Sequence, residues 1–170
     1  MKRIFTILVC VLAIVGATSC GNSGSNKETD AEALLLEEAI DKNLSKDEKK
    51  ALSAALDDFG IDFKEKGNQI IKTSSALGSK NIEIYTFKGD KCTGYRIICT
   101  MPEAQAKEVY EVYQNTLVNV KLDGNTVSGD YNQETLDLVY GSMTKAQIRE
   151  KVKQEVEDSK QLLKSLKRRK

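Results

Sequence analysis

Four cysteines and six tyrosines are the reactive side chains of this 170-residue chain, which has neither histidine nor tryptophan. Without an imidazole it cannot assemble a Ser-His-Asp or Cys-His nucleophile, and it lacks the commonest ligand of zinc and haem. Carboxylate, lysine and tyrosine chemistry remain. Ser53, Ser74, Ser75 and Ser79 stand outside any G-x-S-x-G, and neither G-x-G-x-x-G nor a P-loop lysine occurs. Asp123, Asn125 and Asp130 are closely spaced oxygen donors. A calcium loop of the EF-hand kind needs acids at alternate positions, glycine sixth and a bidentate glutamate twelfth, whereas Gly124 falls second and the glutamate is missing. Hairpin-turn chemistry accounts for these residues, and no metal or cofactor is expected.

Position separates the cysteines. Cys10 lies inside the apolar run of residues 4–15, Cys20 follows Gly16, Ala17, Thr18 and Ser19, and Cys92 and Cys99 belong to the remainder. C-x6-C is neither a metal nor a redox spacing. On one continuous strand these two thiols would lie about 23 Å apart and point to opposite faces, while a disulfide needs Cα atoms within roughly 7 Å. Two separate, buried thiols are expected; a bridge would require a tight reversal within residues 93–98.

Lys2 and Arg3, then the apolar run, then small residues ending on Cys20 give the anatomy of a secretory signal peptide. The run has 12 residues, whereas a bilayer takes about 20. A short uncleaved anchor and an ordinary signal cleaved near Ala17 are the alternatives. Ala17, Thr18, Ser19, Cys20 and the following Gly21 resemble the lipobox of bacterial lipoproteins, with Ala17 where that motif usually carries leucine. The relaxed form is similar to that of small lipoproteins of the Bacteroidota. The resemblance implies cleavage before Cys20, a thioether-linked diacylglycerol on its sulfur and usually an acylated amine, so the mature protein would hang from a membrane, most simply the outer membrane. Residues 20–30 then read as the lipidated cysteine and a flexible Gly/Ser/Asn-rich tether.

Outside the signal, 24 basic side chains face 25 acidic ones, a balance that argues against nucleic acid as a partner. The charge is uneven: residues 151–170 hold eight basic and three acidic side chains. Lys167, Arg168, Arg169 and Lys170 either complement the negative end of a helix or meet an anionic surface.

The elements that must position these groups follow from periodicity. Leu36, Ala39, Ile40 and Leu44, then Leu52, Ala55, Leu56 and Phe59, predict two amphipathic helices closing at Gly60, an N-terminal helical hairpin. The acid pairs Glu37-Glu38 and Asp57-Asp58 read as solvated faces. Residues 82–101 predict a hairpin around Lys88-Gly89-Asp90, and Val118, Val120 and Leu122 predict a second around Asp123-Gly124. Between them Thr100-x-x-Glu103 signals a capped helix with Ala106, Val109, Tyr113 and Leu117 on one side. Residues 133–140 fit a short helix or a fifth strand. Thr144-x-x-Gln147 opens a long amphipathic helix over about 144–170. The expected fold is α+β: the helical hairpin, an antiparallel sheet of about four strands in a ββαββ order, and the C-terminal helix, all within one domain over 31–170.

Tyrosines on an open sheet face could form a platform for sugars or a peptide, with Tyr85, Tyr95 and Tyr131 as candidates; alternatively, they fill the core. The functional expectation is a membrane-anchored, non-catalytic binding module of the cell envelope, contacting an envelope protein, a glycan or an anionic lipid surface. A structural scaffold, or a hydrolase working without histidine, is the alternative.

Overall fold

Four two-residue turns organise the strands between residues 60 and 130. The computed structural model describes the backbone of residues 57–168 and the side chains of residues 57–164. Six strands form one antiparallel sheet in the order β1-β2-β3-β4-β6-β5. They are β1 (Gly60–Lys66), β2 (Gln69–Ala76), β3 (Ser79–Lys88), β4 (Lys91–Thr100), β5 (Val118–Asp123) and β6 (Thr126–Asp130). Lys66 pairs with Gln69, Ala76 with Ser79, Lys88 with Lys91 and Asp123 with Thr126, so each hairpin closes over two residues. The predicted Asp123-Gly124 reversal is one of them, with Gly124 at φ 56°, as a II′ turn requires of its first central residue.

The β2–β3 turn is strained. Leu77 has φ 53° and Gly78 has φ 72°, a pattern suited to Asn-Gly. Leucine in the left-handed region costs about 1–2 kcal/mol, and Leu77 is 39% exposed, so little burial offsets that cost. Leu77→Asn is expected to raise stability by about 1 kcal/mol. Thermal unfolding checks this, and a lowered midpoint would contradict it.

The fold is α+β, with six strands where the sequence indicated about four. The missed pair, β1 and β2, is polar for a physical reason. β1 is an edge strand that turns Ile61 and Phe63 to one face and Asp62 and Lys64 to the other, and charge on an edge discourages pairing with another chain. β2 places Ile70, fully buried, in line with Lys72 and Ser74, so its inward face does not read as hydrophobic.

Helix α1 (Glu103–Thr116) follows β4, while α2 (Gln133–Tyr140) and α3 (Lys145–Arg168) follow β6. Residues 133–140 are therefore helical: the Asn132 side chain accepts from the Thr135 amide at 2.8 Å, and Leu136 and Tyr140 are buried. The expected cap at Thr144 is present, with Thr144 Oγ1 accepting from the Gln147 amide at 3.2 Å and Gln147 Oε1 accepting from the Thr144 amide at 2.8 Å. The cap expected from Thr100 is absent. Thr100 is still strand, its hydroxyl 3.1 Å from that of Thr126, and Pro102 opens α1 without a side-chain cap. The Met101 amide, bonded to the Asn125 carbonyl at 3.0 Å, carries the ladder past the point where the cap was expected.

Residues Asp58–Lys153 form one compact unit. Its inward sheet face holds two clusters. Ile70, Tyr85, Phe87, Cys92 and Tyr95 meet Leu136 and Tyr140 of α2 and Ile148 and Val152 of α3. Cys99, Met101 and Val127 meet Ala106 of α1, with Val109, Tyr113, Val120 and Leu122 at the margin. Gly129 lets α1's end approach: a Cβ there would lie 2.8 Å from Leu117 Cδ1. From Gln154 onward α3 belongs to a second unit, in which Val156 and Ser159 are buried and the Ser159 hydroxyl donates to the Glu155 carbonyl at 2.7 Å.

The signal and tether, the helical hairpin except its last residues, and Arg169 and Lys170 lie outside the described residues. Among the described residues no helix is long and apolar enough to cross a membrane.

Candidate functional site

Antiparallel pairing explains how the inward polar groups meet. Lys72 is the cross-strand partner of Glu83, and Tyr85 of Tyr95, so all four side chains share one face. Glu83 Oε1 lies 2.9 Å from Lys72 Nζ, and Oε2 accepts from the hydroxyls of Tyr85 at 2.9 Å and Tyr95 at 3.1 Å. Tyr95 stacks against Tyr131 with centroids 4.4 Å apart, and Tyr85 meets Tyr95 and Tyr140 edge-on at 5.1 and 5.5 Å.

The structure therefore brings Tyr85, Tyr95 and Tyr131 together, but within the core rather than as an open platform. Tyr85 and Tyr95 are 4% and 7% exposed, and Tyr131 is half-buried. Their strands alternate, and the face carrying them is the one the helices cover. Burial, then the neighbouring Glu83 carboxylate, pushes the Tyr95 phenol far above its ordinary value, and burial raises Tyr113 and Tyr131 as well. Tyr95 stays protonated, as the donor to Glu83. Sequence reasoning missed Glu83 and Lys72 here because the constellation exists only once the register of β2, β3 and β4 is known.

Cys92 and Cys99 are free, buried thiols, as expected. Burial raises both, and Cys99 Sγ lies 3.2 Å from the Tyr113 hydroxyl. Lys167 and Arg168 lie in the last turn of α3.

The outward sheet face carries a different surface. One row across it runs Lys64, Ile71, Ile84, Arg96, Asp130, and the next runs Lys66, Gln69, Thr86, Gly94. Where the rows meet there is an open groove of about 400 Å³, lined by Gln69, Thr86, Thr93, Gly94, Arg96 and Asp130, with Ile84, Asn119, Tyr95 and Tyr131 completing it. A β-bulge beneath it leaves Thr93 as the extra residue of β4, because Thr86 pairs with Gly94 and Phe87 with Cys92.

Arg96 and Asp130 form a two-pronged ion pair, Nε to Oδ1 at 2.7 Å and Nη2 to Oδ2 at 2.9 Å. Asn119, held at φ 53° where β5 loses register, donates to Asp130 Oδ2 at 3.1 Å. The Arg96 guanidinium holds the Asp130 carboxyl below its usual 3.8, and that bond in turn raises Arg96. A depressed carboxyl stabilises the fold above its unfolded value and loses that contribution as pH falls through the folded one. Asp130→Asn is therefore expected to destabilise near pH 7 and to match the wild type at about pH 2. Urea unfolding at both pH values checks this; an equal deficit at both would contradict it.

Among the described residues no group of three or more acidic or cysteine side chains could hold a metal ion. No protein-family model, curated protein or solved structure matches this chain.

Proposed function

We propose that this is a lipid-anchored protein of the cell envelope, tethered through Cys20 and acting as a non-catalytic binding module. The observation that carries the reading is the order of residues 1–20: basic start, short apolar run, small residues, cysteine. Two or more acyl chains on that residue would anchor the protein stably, where a single chain binds only marginally. The outer membrane is the membrane we assign, by similarity to small Bacteroidota lipoproteins.

The binding half of the reading is supported by the outward groove, whose polar lining sits on a rigid sheet rather than on loops. A groove of about 400 Å³ falls within the range of small-molecule sites. The ligand is then an envelope component, with glycan or protein as the candidate classes. The basic run 167–170 would give a second contact with an anionic surface, as its sequence charge suggests.

Co-sedimentation tests this. Purified full-length protein is expected to remain with isolated envelope polysaccharide through washing. Recovery in the supernatant with no envelope protein bound would contradict the binding reading, and a stoichiometric protein partner would favour a scaffold.

A further inference from the structure

We infer that the groove over Gly94 binds a neutral pyranose unit of a glycan, an assignment that rests on the protein being a binding module. The first observation is the glycine itself. Gly94 lies inside β4, where glycine weakens a strand and packs nothing. Neither backbone nor space demands it: its φ is not positive, and a Cβ there would meet only the Thr86 side chain, at ordinary distances of 3.6 and 3.9 Å. A missing side chain that the fold does not require leaves the floor of the groove bare for close approach, a recognised use of glycine in strands. The neighbouring bulge at Thr93 is also of a kind that gathers beside binding sites.

The second observation is electrical. Arg96 and Asp130 compensate each other's charge through two short bonds, and Asn119 takes a further Asp130 lone pair. An anion or a cation drawn to either member meets the opposite charge beside it, so neither gains much net attraction. The groove therefore favours a neutral guest. What it offers such a guest is polar: the Gln69 and Asn119 amides, each with one N–H given to Thr86 Oγ1 or Asp130 Oδ2, keep a second N–H and a carbonyl, and the Thr93 hydroxyl, donating to the Thr86 carbonyl, keeps its lone pairs. Ile84 adds apolar surface beside them. Hydroxyls that donate and accept around a ring with an apolar C–H face are the matching chemistry.

The test is an amide chemical-shift titration of the full chain, carrying Cys20→Ala for solubility, with maltotriose, cellotriose and tri-N-acetylchitotriose. Anionic trigalacturonate and cationic chitotriose serve as charged counterparts. At least one neutral trisaccharide is expected to shift Thr86, Gly94, Arg96 and Asn119 saturably in the millimolar range, with the charged ones about tenfold weaker. Gly94→Val, which fills the floor with a strand-compatible side chain, is expected to weaken binding about tenfold or more while keeping a folded spectrum. If that variant fails to fold, Gln69→Leu carries the same expectation.

Absence of shifts at these residues with every neutral probe, unchanged binding in the folded variant, or tighter binding of a charged trimer would each overturn the assignment. Co-sedimentation with envelope polysaccharide that survives Gly94→Val would overturn the groove while leaving the binding module standing.

Discussion

Glu83→Ala is expected to lower the unfolding free energy by about 3 kcal/mol. The carboxylate accepts from Tyr85 and Tyr95 and pairs with Lys72, and the Lys72 and Glu83 side chains are only 15% and 18% exposed. Removing it leaves a nearly enclosed ammonium without this counter-charge and takes the partner from the Tyr95 hydroxyl inside the ring cluster. Breaking one side of an enclosed pair costs more than the pair is worth, because the survivor keeps its desolvation penalty. Glu83→Gln keeps an acceptor and should cost roughly half as much. Urea unfolding followed by circular dichroism measures both; a loss under about 1 kcal/mol for the alanine variant would mean that the hub is not holding the core.

Alkali offers an independent view of the same hub. Tyr95 is raised by burial and then by Glu83, so its folded value lies above its unfolded one. That stabilisation is complete below about pH 10 and is lost as pH climbs beyond it. Phenolate absorbance from Tyr95 should therefore appear only with unfolding, and Glu83→Ala should move that transition to lower pH.

Much of the fold was legible because its signals are local. Lys88-Gly89-Asp90 and Asp123-Gly124 stand between alternating strands, and Thr144 and Gln147 are three residues apart, so the turns and the cap could be read directly, the second turn shifted by one residue to Gly124-Asn125. The free state of Cys92 and Cys99 followed from reach alone. β1 and β2 were not legible, because an edge strand carries charge and β2 gives its inward face to Lys72 and Ser74. The cap at Thr100 misled because a strand ladder outbid a local motif.

The candidate site was largely hidden. Arg96 and Asp130 are 34 residues apart, and only the pairing of β4 with β6 joins them. Gly94 carries no signal of its own within β4, and only its open surroundings single it out. The three candidate tyrosines are indeed clustered, but which face of an alternating strand is covered depends on where the helices return.

Cys20→Ala should have the largest effect on the protein in the cell. Each buried methylene contributes about 0.8 kcal/mol, so under the proposed lipidation the loss of two or more acyl chains would remove that anchor. The 12-residue apolar run cannot replace it, since spanning takes about 20. Radiolabelled palmitate incorporation, with membrane and soluble fractions compared, tests the anchored reading most directly. The account predicts a labelled, membrane-bound wild type and an unlabelled, soluble Cys20→Ala protein; equal labelling of the two would contradict it.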